Sequence, residues 1–400
     1  MNVAKVVAIA VVVVLVLGIL SVGAAYLITS GKQKRIIEDL EQAKALLENG
    51  EDKAALVILK KSAAANPDSP VAAETMFLLG KTMYKQEEES EKALAVFDRL
   101  LEDYPNSAWA RQADYYKTVT LLDNRPISRD TREYFEKVIE KDANTQAVAV
   151  ARFGVALDDL ESGKDSRARE VMLGLLEEKL PEELRSQVEY TLGDINMRIL
   201  YSPETTDDDE YYTIKRGDYI YKLAQKFDVP QELILKCNGI DDPRRLQIDQ
   251  RIKIPKVDFS IVVDKSDNTL TLLNNGKFFK KYPVRTGAYE NQTPVGEFKI
   301  QNKKKDPRWV NPRTLEVYPP GDPKNELGSR WMSFKNDRLG IHGTIQPETI
   351  GYYSSFGCVG MLEEDVEELF DLVPVGTPLK IVGEMDPKLV EKSEELGYRD

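Results

Sequence analysis

Two residues in this chain of 400 have the chemistry of a covalent catalyst, and they lie close in sequence. His342 is the only histidine, and Cys358, one of two cysteines, follows 16 positions later. A thiol attacks a carbonyl well only as thiolate. An imidazole within hydrogen-bond reach takes its proton and later returns it to a leaving amine. Gly357, just before the cysteine, has no side chain and lets substrate come near the backbone. The amides of Gly357 and Cys358 are then placed to face a developing oxyanion. Against this, a lone cysteine is most often a small buried hydrophobe and a lone histidine is usually structural. The pairing alone does not decide between these readings.

The surrounding sequence narrows the choice. His342 and Cys358 lie in LGIHGTIQPETIGYYSSFGCVGML, from Leu339 to Leu362. I-H-G-T followed by S-x-G-C-V-x-M resembles the signature of the L,D-transpeptidase, or YkuD-type, catalytic domain. Upstream, Thr293-Pro-Val-Gly-Glu-Phe298 resembles the family's T-P-x-G-x-F segment, and Asn325-Glu-Leu-Gly-Ser-Arg-Trp331 resembles its N-x-L-G-x-R stretch. The resemblance runs from Asp258 to Val382. Two positions depart from it. The family usually has S-H-G-C followed by a hydrophobic residue and Arg or Asn, whereas this chain has Phe356 and Gly360. These changes bear on substrate anchoring and rate more than on reaction type.

The resemblance implies a mechanism. Cys358 attacks the carbonyl after the L-centre of a diamino acid in a peptide stem and releases the terminal D-residue. An amine on a second stem resolves the thioester into a crosslink. His342 is base, then acid, with the Gly343 carbonyl holding its other nitrogen. The amides of Gly357 and Cys358 form the oxyanion hole, and Ser355 supports the site by hydrogen bonding. Arg330 and Trp331 are the candidate substrate-binding residues, with Arg330 meeting a substrate carboxylate in place of the charge missing at Gly360. No metal or organic cofactor is called for. The acceptor stays open: a stem amine, a lysine of a wall protein, or water, which would make the enzyme a carboxypeptidase. A catalytically idle peptidoglycan-binding scaffold is the reading of a different class. Phe356 and Gly360 favour it, and the retained histidine opposes it.

The rest of the chain must hold this site in place. Four hundred residues exceed one core and suggest several domains. With 55 basic and 67 acidic side chains the net charge is −12, which argues against a nucleic-acid partner. Cys237 lies in another segment, at an apolar helix position, so both cysteines are expected to be free. Val6 to Thr29 is an uncharged apolar run long enough to span a bilayer. It reads as an uncleaved anchor or as a signal peptide cleaved near Gly23-Ala24-Ala25, with the bulk of the chain facing the periplasm or cell wall.

From Ile36 to Tyr201 apolar residues recur at three and four, a helical period. Pro67, Pro105, Ala143 and Pro181 stand 38 apart, as do Leu59, Phe97, Phe135 and Leu173. Phe77, Tyr115 and Phe153 repeat in the same register. This helix-turn-helix array resembles tetratricopeptide-type repeats. It serves either to bind a protein partner or to lift the enzyme from the membrane. Thr205 to Glu210 is acidic and reads as linker. Tyr211 to Lys256 reads as strand, helix, helix, strand. Its Y-T-I-K-R-G-D, K-C-N-G-I and I-K-I-P segments resemble a LysM domain, which implies binding to glycan strands of peptidoglycan. After Asp258 the period falls to two, with a hairpin at Asn274-Asn-Gly276, a helix over Glu363 to Leu372 and a last strand over Leu379 to Val382.

The fold class is therefore multidomain α+β. It comprises a membrane segment at 1–35, α-helical hairpin repeats at 36–201, a linker at 202–210, a βααβ LysM unit at 211–256, a mostly-β catalytic domain at 258–383 and a solvated charged tail at 384–400.

Overall fold

The computed structural model describes residues 33–65, 68–86, 89–141, 146–202, 209–312 and 314–399. The apolar run Val6–Thr29 lies outside the described residues, as do Pro67 and Ala143 of the repeat. Among the described residues no helix is long and apolar enough to cross a membrane. The chain forms two compact units that divide after Gly163.

The first unit is helical. Helix α1 covers 33–48. It is followed by α2 (Asp52–Ala65), α3 (Ala72–Tyr84), α4 (Ser90–Asp103), α5 (Ala110–Asp123), α6 (Arg129–Lys141) and α7 (Gln146–Glu161). Each helix buries one apolar stripe against its neighbours, as Ala93, Phe97 and Leu100 do on α4. The 38-residue period has a physical cause. Phe97 packs its ring onto Gly80 of α3, and Phe135 packs onto Gly154 of α7, where a side chain at either glycine would collide with the ring. Leu59, Phe97 and Phe135 are fully buried. Leu173 breaks the series: it is half-buried, and its neighbour Met172 is the buried residue.

The second unit begins with α8 (Asp165–Leu176) and α9 (Glu182–Tyr201), so the helical array read through residue 201 divides physically at Gly163. The reason lies on α9. It packs against the strand Lys277–Pro283, Asn196 Nδ2 donates to the Phe279 carbonyl at 2.7 Å, and Glu189 pairs with Lys281 at 3.1 Å. The βααβ unit follows as β1 (Asp209–Thr213), α10 (Ile220–Phe227), α11 (Gln231–Cys237) and β2 (Arg251–Pro255), with β1 antiparallel to β2. The acidic linker is therefore shorter than its sequence suggests. Asp209 already belongs to β1, and its carboxylate meets the buried Lys253 ammonium at 3.1 Å. Lys253 also donates to the carbonyls of Ile199, Leu200 and Ser202 at the end of α9, where a helix leaves its last acceptors unpaired.

The catalytic region holds the remaining strands. They are β3 (Phe259–Asp264), β4 (Thr269–Asn274), β5 (Lys277–Pro283), β6 (Thr286–Gly287), β7 (Gly296–Lys299), β8 (Asn302–Lys305), β9 (Trp309–Val310), β10 (Val317–Tyr318), β11 (Arg330–Lys335), β12 (Leu339–His342), β13 (Tyr353–Ser355), β14 (Val359–Gly360) and β15 (Pro378–Val382). Helix α12 is Glu363–Leu372 and α13 is Pro387–Glu395. A five-stranded sheet runs β5-β4-β3-β15-β7, and a four-stranded sheet runs β14-β12-β11-β8. The β4–β5 turn uses positive φ at Asn275 and Gly276, as a tight hairpin requires. Ile261, Val263, Leu270, Leu272, Met332, Phe334, Ile341 and Val359 are buried in a core continuous with that of the βααβ unit.

The described part of the last segment, 384–399, is not a solvated tail. Ser393 of α13 is buried and its Oγ accepts from the Tyr353 amide at 3.2 Å, while Arg399 Nε donates to the Ala288 carbonyl at 2.7 Å.

Candidate active site

Fifteen residues of chain lie between His342 and Cys358, and the sheet brings their two segments together. His342 ends β12, and Cys358 immediately precedes β14, which runs parallel to β12 with His342 opposite Gly360 and Ile341 opposite Val359. Both side chains line one cleft of about 780 Å³, together with Arg285, Trp331, Ser355 and Phe356. The thiol itself is directed at the Arg338 carbonyl, 3.9 Å away. Cys237 is elsewhere, fully buried on α11, where burial pushes its thiol up to about 12. Both cysteines are free thiols.

The imidazole is fixed on two sides. Its Nδ1 lies 2.5 Å from the Gly343 carbonyl oxygen. A carbonyl can only accept, so Nδ1 carries the proton and Nε2 is the basic nitrogen. The Trp331 ring stacks on it, with centroids 5.8 Å apart and planes at 27°. Burial and then the positive charge of Arg285 push its pKa down to about 3, against the opposing pull of the Gly343 and Glu326 carbonyls. Burial raises the Cys358 thiol above its ordinary value, and the Gly340 backbone and Arg285 pull the other way. At neutral pH the resting pair is a neutral thiol and a neutral imidazole, so the thiolate must form during attack.

The turn that carries the thiol is tied at several points. Ser355 Oγ donates to the Cys358 carbonyl at 2.6 Å and accepts from the Gly357 amide at 3.0 Å. This corrects the oxyanion hole expected from sequence, because the Gly357 N–H is already engaged by Ser355. Thr293 Oγ1 donates to the Gly357 carbonyl at 3.0 Å and accepts from the Gly287 amide at 2.8 Å. Gly357 has φ +120°, and a Cβ there would fall on the Gln292 carbonyl. Only glycine fits that conformation and that gap.

Arg330 does not serve the cleft. Its guanidinium donates to the Ser329 carbonyl at 2.9 Å, meets Glu367 at 3.3 Å and lies over the Phe370 ring, on the α12 side of β11. Trp331, the next residue, faces the cleft, as the pleat demands. Among the cations that do line the cleft is the buried Arg285, to which the sequence reading gave no role. A Cβ at Gly360 would strike its Nε. Two more residues, Asn325 of the N-x-L-G-x-R stretch and Glu363, had been given no role in the site. Asn325 Nδ2 donates to the Pro307 and Pro319 carbonyls, holding the loop that bears Trp309 and Val310 over the cleft. The Glu363 carboxylate accepts from Ser329 N and Oγ, and it occupies the space that side chains at Gly328 and Gly343 would fill.

A buried imidazole with one fixed nitrogen, a thiol just before the neighbouring strand and a cleft around both are the groups that cysteine acyl transfer needs. Residues 258–381 match the L,D-transpeptidase catalytic domain, 212–255 the LysM domain and 74–107 a tetratricopeptide repeat. The putative L,D-transpeptidase YkuD of Bacillus subtilis is 34% identical over 176 residues, which cover 42% of this chain and 97% of that protein. The putative L,D-transpeptidase YqjB of the same organism is 36% identical over 126 residues, 30% of this chain and 69% of that one. The chain belongs to the L,D-transpeptidase family. Among solved structures, the catalytic domain of the E. faecium L,D-transpeptidase is 27% identical, covering 31% of this chain and 97% of that one with a TM-score of 0.26. An L,D-transpeptidase from Mycobacterium smegmatis is 18% identical, covering 34% of this chain and 64% of that one with a TM-score of 0.27. The family membership rests on the sequence relatives.

Proposed function

We propose that the chain is a peptidoglycan L,D-transpeptidase that works through a thioester on Cys358. The observation that supports this reading is the shared cleft, which Cys358 and His342 both line, with the imidazole Nδ1 held by the Gly343 carbonyl. His342 Nε2 takes the thiol proton as Sγ bonds to the stem carbonyl. The amide C–N bond breaks, and the same proton goes to the leaving amine of the terminal D-residue. An amine of a second stem attacks the thioester, loses its proton to Nε2, and the thiol is restored. The Cys358 amide is the backbone donor for the oxyanion, and Ser355 and Thr293 hold the turn that presents it. Trp331 holds the imidazole and walls the cleft.

The βααβ unit binds glycan strands, a role supported by its LysM match. The helical repeats either bind a protein partner or act as a spacer, and the uncharged run Val6–Thr29 anchors the chain with its catalytic unit toward the cell wall. The test is mass analysis of a stem tetrapeptide incubated with the protein. Wild type should form a Cys358 adduct and release the terminal residue. Cys358→Ala should form none, Cys237→Ala should behave as wild type, and His342→Ala should acylate ~10²–10⁴-fold slower. Release by Cys358→Ala overturns the mechanism, and absence of any wild-type adduct returns the chain to a wall-binding scaffold.

A further inference from the structure

Arg285 is 4% exposed, yet it lines the cleft that holds Cys358 and His342. A buried guanidinium ordinarily has a carboxylate partner. This one has none among the described residues. Its Nη1 donates to two neutral oxygens, Gln346 Oε1 at 3.1 Å and Thr349 Oγ1 at 3.2 Å, and its buried Nε has no acceptor. The backbone fixes where it sits. The Arg285 amide donates to the Gly360 carbonyl at 2.9 Å, and the Gly360 amide returns the bond at 3.0 Å, two residues from the nucleophile. The Cγ, Cδ and Nε of Arg285 occupy the volume a side chain at 360 would need, so the two positions are exclusive. The cleft around it is cationic on an acidic protein. Lys304, Arg308 and Arg338 line it with Arg285, against Glu326 and Asp337, while the whole chain carries −12.

We propose that Arg285 is the receptor for the donor's chain-terminal carboxylate, the one on the residue that departs. The inference rests on the transpeptidase reading above. The leaving residue adjoins the scissile carbonyl, so its carboxylate is the anion closest to the thiol during attack. A bidentate contact from Arg285 supplies the charge and orients the amide. The receptor thereby restricts the enzyme to donors that end one residue past the attacked carbonyl.

The test compares a stem tetrapeptide with its C-terminal carboxamide, reading Cys358 thioester by intact mass. Wild type should load the acid ~10–100-fold faster than the amide, as expected for loss of one charged partner. Arg285→Met should bring the two rates together, and Arg285→Lys should keep part of the preference. Arg285→Ser combined with Gly360→Arg should restore it, because the new side chain projects into the vacated volume. Iodoacetamide labelling of Cys358 and circular dichroism establish that each variant is folded with its thiol accessible. A merely structural arginine would slow both substrates alike and leave the ratio unchanged. No acid preference in wild type, or a preference that survives Arg285→Met, overturns the assignment of Arg285 alone. Failure of wild type to load either substrate overturns the transpeptidase reading beneath it.

Discussion

His342 is the only imidazole in the chain, so its titration can be followed without assignment. Burial and Arg285 hold it neutral down to about pH 3. Its ring proton signals should therefore not move between pH 5 and 8 in the folded protein. A midpoint near 6.5 would show a ring open to solvent. The linkage sign follows. The unfolded chain takes up this proton near 6.5 and the folded one near 3, so stability is full above 6.5 and falls with pH below it. The loss is at most ~1.4 kcal/mol per pH unit in that window. The urea midpoint of wild type should therefore fall with pH more steeply than that of His342→Gln between 6.5 and 3. Arg330 makes the opposite kind of prediction. Arg330→Met should lower stability by ~1 kcal/mol through its bonds to Ser329 and Glu367 and leave KM for the stem unchanged, as a thermal melt and steady-state kinetics would read. The error over Arg330 was avoidable from sequence. Arg330 and Trp331 are consecutive in a strand and must face opposite ways, so both cannot serve one cleft. Arg285 was not legible, because its position depends on a backbone bridge to Gly360 that no local pattern encodes.

At the scale of elements, β3, β4, β5, β15 and α12 were readable because their apolar period matches their burial, while the short strands β11, β12 and β14 around the site were not read. The predicted helix Glu363–Leu372 coincides with α12. What periodicity could not supply is how α12 is used. Its first residue, Glu363, sits at the helix N-terminus, where a carboxylate is favoured. From there it fills the space beside Gly343, whose carbonyl holds the imidazole. Gly343→Ala should drive a methyl group into that carboxylate, cost ~1–3 kcal/mol of stability and slow acylation as the carbonyl shifts. Glu363→Ala removes the obstacle. The double variant should therefore be less damaged than the sum of the singles, and a double-mutant cycle with a coupling of ~1 kcal/mol or more checks it. Strict additivity would show that the two residues do not contest one volume.

At the scale of the molecule, the resemblance fixed the order of domains, while their boundaries depended on packing between segments far apart in sequence. The last residues show this. Charge-rich sequence suggested solvation, yet Arg399 binds the Ala288 carbonyl and Tyr289 Oη donates to the Arg399 carbonyl. These contacts hold the Gly287–Thr293 loop, whose Gln292 carbonyl and Thr293 hydroxyl border Gly357. Truncation after Glu384 should lower the melting temperature and slow Cys358 acylation ~10-fold or more, since small displacements of a nucleophile are costly. Unchanged acylation in a destabilised truncation would confine the segment to a stabilising role.

The βααβ unit is joined to the catalytic domain by more than a linker. Lys236 pairs with Asp371 at 2.7 Å, Lys305 with Glu232 at 3.0 Å, and the hydrophobic core runs through both. On the proposed function, a glycan grip that shares its core with the cleft is held at a fixed position relative to it. The stem that reaches the thiol would then lie at a constant offset from the seated strand, and the protein would act as a gauge of crosslink spacing. A flexible insertion at Lys256 should broaden that spacing in digested wall material while leaving the cleft's chemistry alone.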